Sequence, residues 1–164
     1  MRDSPTIRVV PLDPSRHSTL LGLRLLPAQR HDVGHIRDLL ADAASCPQSE
    51  PLVILRGECA VGYCRIEPNA RSVAGHDFAL PALGLRAFFI DAAWQRQGCG
   101  GQALVALVAY LAEHRPQARL LVLCVSRSNH AAQRLYRRAG FTDGGELYHD
   151  GRSGVQHLLL RTLP

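Results

Sequence analysis

Residues 88–101 read FFIDAAWQRQGCGG, and this stretch decides the fold that the sequence predicts. It begins as an apolar run with aromatic and branched side chains, which is typical of a buried strand. It then turns and reaches three glycines, Gly98, Gly100 and Gly101. Residues 102–114 are rich in Ala and Leu and contain no Gly or Pro, so they predict a helix. The predicted order is strand, glycine turn, helix.

Such a turn is suited to binding a phosphate group. Glycines let the backbone approach a ligand closely, and the first N–H groups of a helix point outward with a partial positive charge. A phosphate or pyrophosphate therefore binds well there. The spacing Gln95-x-x-Gly98-x-Gly100 differs from the dinucleotide-binding G-x-G-x-x-G and from the Walker loop, which has a Lys after its second glycine.

A second pattern follows a nearly all-apolar segment at residues 119–125, which predicts a central strand buried on both faces. Asn129 and Tyr136 frame the spacing N-x-x-A-x-x-L-Y on a predicted helix at residues 130–139, and Gly140 is suited to end that helix. Seven residues are about two helical turns, so Asn129 and Tyr136 share one face.

The rest of the chain predicts further strands and helices around one central sheet, an α+β or α/β layered fold. The other predicted elements are a possible edge strand at 6–12, a strand at 20–26, a helix at 32–44 with Asp32 as a possible N-cap, a hairpin at 51–55 and 59–66, a loop at 68–84, a strand at 85–91, and a final hairpin at 147–160 with its turn at Asp150 and Gly151. We expect a single domain over residues 1–164, with residues 1–19 as an N-terminal extension.

Composition restricts the class of protein. The net charge is +5 and every basic side chain except His is Arg, which favours a polyanionic ligand or an acidic substrate. These Arg residues are scattered, so nucleic-acid binding is weakly supported. Five cysteines without zinc spacing predict reduced thiols in a cytoplasm, and no apolar run predicts a membrane span or a signal peptide. A chain rich in Ala, Arg and Gly and lacking Lys suggests a GC-rich bacterial genome.

Together the two patterns resemble those of the GCN5-related N-acetyltransferase (GNAT) superfamily, whose acetyl-CoA motif is Q/R-x-x-G-x-G/A. The resemblance spans residues 20–162, and residues 23–40 are similar to the family's first strand and helix. It implies a strongly twisted, mostly antiparallel sheet of six or seven strands with helices on both faces. It also implies an enzyme that transfers an acetyl group directly from acetyl-CoA to a primary amine of a small molecule, peptide or protein, with no metal.

The resemblance further implies which residues hold the coenzyme. The strands at 85–91 and 119–125 would splay apart, and the main chain of Phe88, Phe89 and Ile90 would bond the pantetheine arm. Asn129 would reach the same arm. The pyrophosphate would lie on the turn whose residues are Gln95, Arg96, Gln97, Gly98, Cys99, Gly100 and Gly101.

Tyr136 is the candidate general acid, because its hydroxyl can give a proton to the departing thiolate. Two structural alternatives stay open. Tyr136 could simply pack on the inner face of its helix, and Asn129 could be an N-cap of that helix.

Many members of the family carry a Glu as general base on the fourth strand, or on the fifth strand just before the second pattern. Here the predicted strand at 85–90 carries no carboxylate, and Cys124 occupies the corresponding position on the next strand. The general base is therefore unassigned. The candidates are Asp91, Glu67, His76, Asp77 or a chain of waters. This departure leaves a second hypothesis open, a catalytically silent acyl-CoA-binding or regulatory module on the same fold.

Two further features concern the acceptor and metals. Only residues 46–50 separate the predicted helix at 32–44 from the next strand, so the second helix of the family is short or missing. The acceptor site would then be open, or completed by the partner subunit of a homodimer. His31 and His35 have a metal-ligand spacing, but no third ligand is evident and a solvated helix face is favoured.

Overall fold

The computed structural model describes residues 5–27, 29, 33–149 and 154–164, without the side chains of 146–149. Seven strands form one sheet in the order β1-β2-β3-β4-β5-β7-β6. The strands are β1 Ile7–Pro11, β2 Glu50–Arg56, β3 Cys59–Glu67, β4 Ala82–Ile90, β5 Leu120–Ser126, β6 Thr142–His149 and β7 Val155–Thr162. The helices are α1 His17–Leu21, α2 Ile36–Ser45, α3 Arg71–Ala74, α4 Cys99–His114 and α5 His130–Arg138, with 3-10 turns at Pro14–Arg16 and Ala92–Trp94.

The strand pairing confirms the predicted α+β layered architecture with a mostly antiparallel sheet. The pairs β1–β2, β5–β7 and β6–β7 are antiparallel, and β4 runs parallel to β5. The parallel register joins Ala82–Gly84 to Leu120–Val122. Among the residues described, no helix combines the length and the apolar character that crossing a membrane requires.

The first of two compact units combines Met1–Arg65 with Ala87–Leu107. Residues 52–55 on β2 are fully buried, as expected for a strand covered on both faces. The core around them includes Leu20, Tyr63 and Phe89. Helix α4 presents Leu104 and Leu107 as buried side chains.

The second compact unit combines Ile66–Arg86 with Val108–Pro164. Its core joins Val122 and Leu158 to Ala70 and Ala74 from the segment after β3. Helix α3 approaches the sheet closely because Gly84 has no side chain. A Cβ atom on Gly84 would lie 2.5 Å from Cγ2 of Val73, so a side chain here would force Val73 to move. The expected single domain over residues 1–164 stays a prediction.

The predicted strand at residues 20–26 is wrong. Helix α1 ends at Leu21, with Gly22 as its C-cap, and residues 23–26 belong to no strand. Short apolar runs do not distinguish strand from helix, and here Leu20 and Leu25 reach the core while Leu21 and Leu26 stay exposed.

This correction changes the comparison with the family's first elements. The first strand is β1, which was predicted as a possible edge strand and which pairs along its whole length with β2. Among the described residues between β1 and β2 there are two helices, α1 and α2. The second helix is therefore not missing, but one of the two helices, α1, is short, with five residues. An open acceptor site stays a prediction.

Other boundaries shift by a few residues. Helix α2 begins at Ile36 with His35 as its N-cap, while Asp32 lies outside the described residues. Strand β4 begins at Ala82 rather than at residue 85, because the start of this strand pairs with β5, and α3 occupies part of the predicted loop. Strand β6 begins at Thr142 rather than at residue 147, and the predicted turn at 150–151 lies outside the described residues.

Candidate functional site

The glycine turn after β4 contains two residues in left-handed conformations directly before a helix. Gly98 has φ +79° and Arg96 has φ +62°, so the chain reverses through left-handed conformations just before α4 begins at Cys99. A Cβ atom on Gly101 would meet nothing within 4 Å. The first turn of α4 contains no acidic side chain. An anion at this helix start would therefore meet backbone N–H groups without repulsion from a neighbouring carboxylate.

The side chain of Gln95 is half-buried and bonds to the protein. Its Nε2 donates to the Ile90 carbonyl at 2.9 Å and to Oε1 of Gln29 at 2.7 Å. Gln97 is exposed, and its Nε2 donates to the Ala93 carbonyl at 3.1 Å. Contacts of these two side chains with a coenzyme stay predictions.

The end of β4 contains a break in its regular geometry. Ala87 has φ +55°, a conformation that is uncommon for a residue with a side chain. Beyond it, Phe89 and Ile90 are buried and Phe88 is partly buried. Strand β3 lies very close here, because a Cβ atom on Gly62 would be 2.4 Å from the Phe89 carbonyl oxygen. Bonding of Phe88–Ile90 to a pantetheine arm stays a prediction.

In the second unit, Asn129 caps α5. Its side-chain oxygen accepts a hydrogen bond from the Ala132 N–H at 3.1 Å, which confirms the predicted N-cap. Sequence reasoning missed the buried Gln133, whose Nε2 donates to the Ser126 and Arg127 carbonyls at 3.0 Å each. A polar residue on the buried face of an amphipathic helix was the signal that could have found it. These bonds fix the turn from β5 to α5.

Tyr136 lies on the inner face of α5. The residue is only 8% exposed, and its ring meets the Phe141 ring edge-on, with 5.6 Å between the ring centroids. The packing alternative is therefore confirmed. The role of Tyr136 as a general acid stays a prediction.

Asp91 is a candidate base with a clear structural role. It is 8% exposed, and its Oδ1 accepts a hydrogen bond from the Arg24 N–H at 2.6 Å. The next residue, Ala92, donates its N–H to the Arg24 carbonyl at 2.8 Å. This carboxylate therefore fixes the start of the turn after β4.

The other candidate bases lie in the second unit. Glu67 is buried at the end of β3 and pairs with Arg86 on β4, with 3.4 Å between Oε1 and Nε. Asp77 forms an exposed ion pair with Arg71 at 3.0 Å. His76 places Nδ1 2.9 Å from the Asp77 carbonyl oxygen. Of Glu67, His76 and Asp77, only Glu67 is buried and lies on a strand.

No three His, Cys, Asp or Glu side chains of the described residues come together as a metal ion would require. Of the two histidines with metal-ligand spacing, His35 caps α2 through its backbone and His31 lies outside the described residues.

The family model described as the acetyltransferase (GNAT) family matches residues 15–141 of this chain. The match covers both patterns, the turn after β4 and the helix that follows β5. The chain therefore belongs to the acetyltransferase (GNAT) family and is an acyltransferase, as the resemblance implied.

Curated relatives and solved structures agree with this assignment. The chain is 27% identical over 146 residues to the spermine/spermidine N(1)-acetyltransferase of Bacillus subtilis, covering 89% of this chain and 94% of the relative. It is 26% identical over 109 residues to the N-acetyltransferase YbbJ of the same organism, covering 66% and 68%. The fold is similar to that of aminoglycoside acetyltransferase AAC(6')-Ib in complex with coenzyme A, with a TM-score of 0.78, 18% identity and coverage of 96% and 95%. It is also similar to Vibrio cholerae spermidine N-acetyltransferase in complex with CoA and spermine, with a TM-score of 0.70, 13% identity and coverage of 96% and 95%.

Proposed function

We propose that this protein is an acetyl-CoA-dependent N-acetyltransferase that transfers the acetyl group directly to a primary amine. The observation that carries the proposal is the turn after β4, where Gly98 is left-handed and α4 starts without an acidic side chain. Family membership and the coenzyme A in the complexes of similar fold support acetyl-CoA as the ligand of this turn. The net charge of +5 suits its phosphates.

In this proposal the glycine turn after β4 and the helix that starts after Asn129 bind different parts of the coenzyme. The backbone N–H groups of residues 96–101 hold the pyrophosphate, and the main chain of Phe88–Ile90 bonds the pantetheine arm. Asn129, which also caps α5, reaches the same arm.

The reaction forms an N–C bond and breaks the C–S bond of the thioester. A neutral amine attacks the acetyl carbonyl carbon, and the electron pair of the C–S bond leaves with sulfur as a thiolate. The Tyr136 hydroxyl protonates that thiolate, and a base takes one proton from the nitrogen. We propose Glu67 as the base, because it is a buried carboxylate on a regular strand.

The acceptor is a primary alkylamine in this proposal. The match to the Bacillus subtilis spermine/spermidine N(1)-acetyltransferase covers 94% of that relative. Polyamines are therefore the first amines to be tested. Similar folds that bind aminoglycosides or acetylate a ribosomal protein place these acceptors next.

Calorimetry with acetyl-CoA tests binding, and release of free coenzyme A thiol with a panel of amines tests transfer. The panel contains spermidine, spermine, an aminoglycoside and peptides with a free N-terminus. We expect binding together with amine-dependent thiol release. Binding without release for any amine would favour the silent acyl-CoA-binding module, and failure to bind would remove the proposal.

Replacing Tyr136 by Phe should lower kcat by about 10-fold to 100-fold, the lower part of the range for general acids. The Phe ring retains the edge-on packing against Phe141, so coenzyme Kd and Tm should change little. Steady-state kinetics under conditions where chemistry limits the rate, with calorimetry and a thermal melt, measure all three. A clear loss of thermal stability would show that the hydroxyl is structural instead.

Replacing Glu67 by Gln should lower kcat by about 100-fold, because the amide cannot accept the proton. The matched control is Asp77→Asn, which neutralises an exposed, ion-paired carboxylate of the same unit and should retain activity. An unchanged kcat in Glu67→Gln would return the base to Asp91, His76 or water.

We place the enzyme in a reducing cytoplasm. All five cysteines are free thiols, and burial raises the pKa of the Cys64 thiol, which keeps it unreactive. Free thiols in this number fit a reducing compartment.

A further inference from the structure

Gln95 joins the glycine turn to a stretch that is distant in the sequence. Its side-chain nitrogen carries two protons, and these have two carbonyl-type acceptors, the Ile90 main chain and Oε1 of Gln29. The same Oε1 of Gln29 also accepts the N–H of Leu26 at 3.2 Å. The side chain that belongs to the phosphate motif is therefore held by a residue outside it.

A second contact joins the same two parts of the chain a few residues before Gln29 and Gln95. The Arg24 N–H donates to the buried Asp91 carboxylate at 2.6 Å, and the Ala92 N–H donates to the Arg24 carbonyl at 2.8 Å. Arg24 and Gln29 thus hold the turn after β4 at its first residues and again at Gln95. We call these two junctions, Arg24 with Asp91 and Ala92 and Gln29 with Gln95, the clasp.

The clasp fixes the shape of the turn from outside. Arg96 directly follows Gln95 and has φ +62°, a conformation that is unfavourable for a residue with a side chain. A strained residue persists only where its surroundings hold it in place. Gln95 directly precedes Arg96, and its hydrogen bonds to Gln29 and to the Ile90 carbonyl hold the backbone in place at this point.

We infer that Gln29 is a positioning residue for coenzyme binding. It orients Gln95, and Gln95 in turn fixes the end of β4 and the turn that we propose binds pyrophosphate. This inference rests on the proposed function, since acetyl-CoA is the ligand of the turn. Because coupling between two sites is reciprocal, acetyl-CoA at the turn also stabilises the hydrogen bonds of Arg24, Leu26 and Gln29.

Gln29→Leu removes the oxygen that accepts from Gln95, whereas Gln29→Glu retains an oxygen at that position. Acetyl-CoA affinity is measured by calorimetry without any acceptor amine, in salt that screens the charge of the added carboxylate. We expect Kd to rise about 3-fold to 10-fold in Gln29→Leu, the size of a coupling through one hydrogen bond. Gln29→Glu should bind like the parent.

A double-mutant cycle with Gln95→Leu tests the route of the effect. Gln95→Leu should weaken binding by a similar factor, and adding Gln29→Leu should cause no further loss. Hydrogen exchange at the Leu26 and Ala92 amides should slow when acetyl-CoA is added to the parent protein. This second measurement does not depend on catalysis or on either variant.

The outcomes separate this inference from the proposed function. The positioning role would be overturned if Gln29→Leu bound acetyl-CoA like the parent. It would also be overturned if Gln29→Leu weakened binding by the same factor in the parent and in the Gln95→Leu variant. In both cases the coenzyme assignment would stand. Unchanged exchange at Leu26 and Ala92 on coenzyme binding would overturn the positioning role as well. A parent protein that does not bind acetyl-CoA would overturn the proposed function and this inference with it.

Discussion

Replacing Gly98 by Val is expected to weaken acetyl-CoA binding by on the order of 100-fold, which corresponds to about 2.7 kcal/mol. Gly98 has φ +79°, and a β-branched residue rarely adopts a left-handed conformation. The branched side chain would also stand at the start of α4, where the backbone N–H groups are proposed to meet the pyrophosphate. Charged ligands lose more than neutral ones when such bonds fail.

The effect should be graded with side-chain size. Gly98→Ala adds the backbone strain of roughly 1–2 kcal/mol but little bulk, so a loss near 10-fold is expected. Calorimetry gives Kd for both variants, and thermal melts show whether they remain folded. The strain should lower Tm by about 2–8 °C, since 1 kcal/mol corresponds to about 2–4 °C in a chain of this size. If Gly98→Val binds acetyl-CoA like the parent, the turn does not hold the coenzyme.

Replacing Gly62 by Ala is expected to destabilise the protein by about 3 kcal/mol, the upper end for adding atoms to a packed core. The new Cβ atom would lie 2.4 Å from the Phe89 carbonyl oxygen and 3.1–3.2 Å from the Ile90 and Ile54 side chains. Backbone atoms cannot rotate away as a flexible side chain can. Strands β3 and β4 must therefore separate at Phe89, where the pantetheine arm is proposed to bind.

Urea and thermal unfolding measure this loss, with Gly22→Ala as the matched control. Gly22 has ordinary helical φ of −83° at the end of α1, and its added Cβ would approach only the Thr19 carbonyl, at 3.4 Å. The control should unfold like the parent. Equal stability of Gly62→Ala and Gly22→Ala would show that β3 and β4 are not packed as closely as described.

Local patterns predicted the elements that carry the two motifs. The glycine turn, the α4 helix and the cap at Asn129 depend on residues within one or two turns of each other, so the sequence alone indicates them. The apolar run at residues 20–26 was misassigned because a short apolar segment fits either a strand or a helix. Its burial pattern, with Leu20 and Leu25 inside, depends on tertiary packing.

The parts of the site that could not be predicted depend on contacts between distant residues. Gln29 and Gln95 are 66 positions apart, and Arg24 and Asp91 are 67 positions apart. The Arg24 contact uses a backbone N–H, which leaves no trace in the residue type. Gly62 likewise gives no local signal, because the atom that excludes its side chain belongs to Phe89 on another strand.

The segments that make up the two compact units constrain the order in which the chain can fold. Each unit joins an early stretch to a later one, Met1–Arg65 to Ala87–Leu107 and Ile66–Arg86 to Val108–Pro164. As the chain leaves the ribosome, residues 66–86 must wait for β5, and β5 gains its antiparallel partner β7 only after Val155–Thr162 have emerged. Such late, long-range pairing is intrinsically slow and leaves apolar strands uncovered in the meantime. The second unit therefore completes its folding only once β7 is available, and a chain that stops before β7 is a substrate for chaperones and proteases.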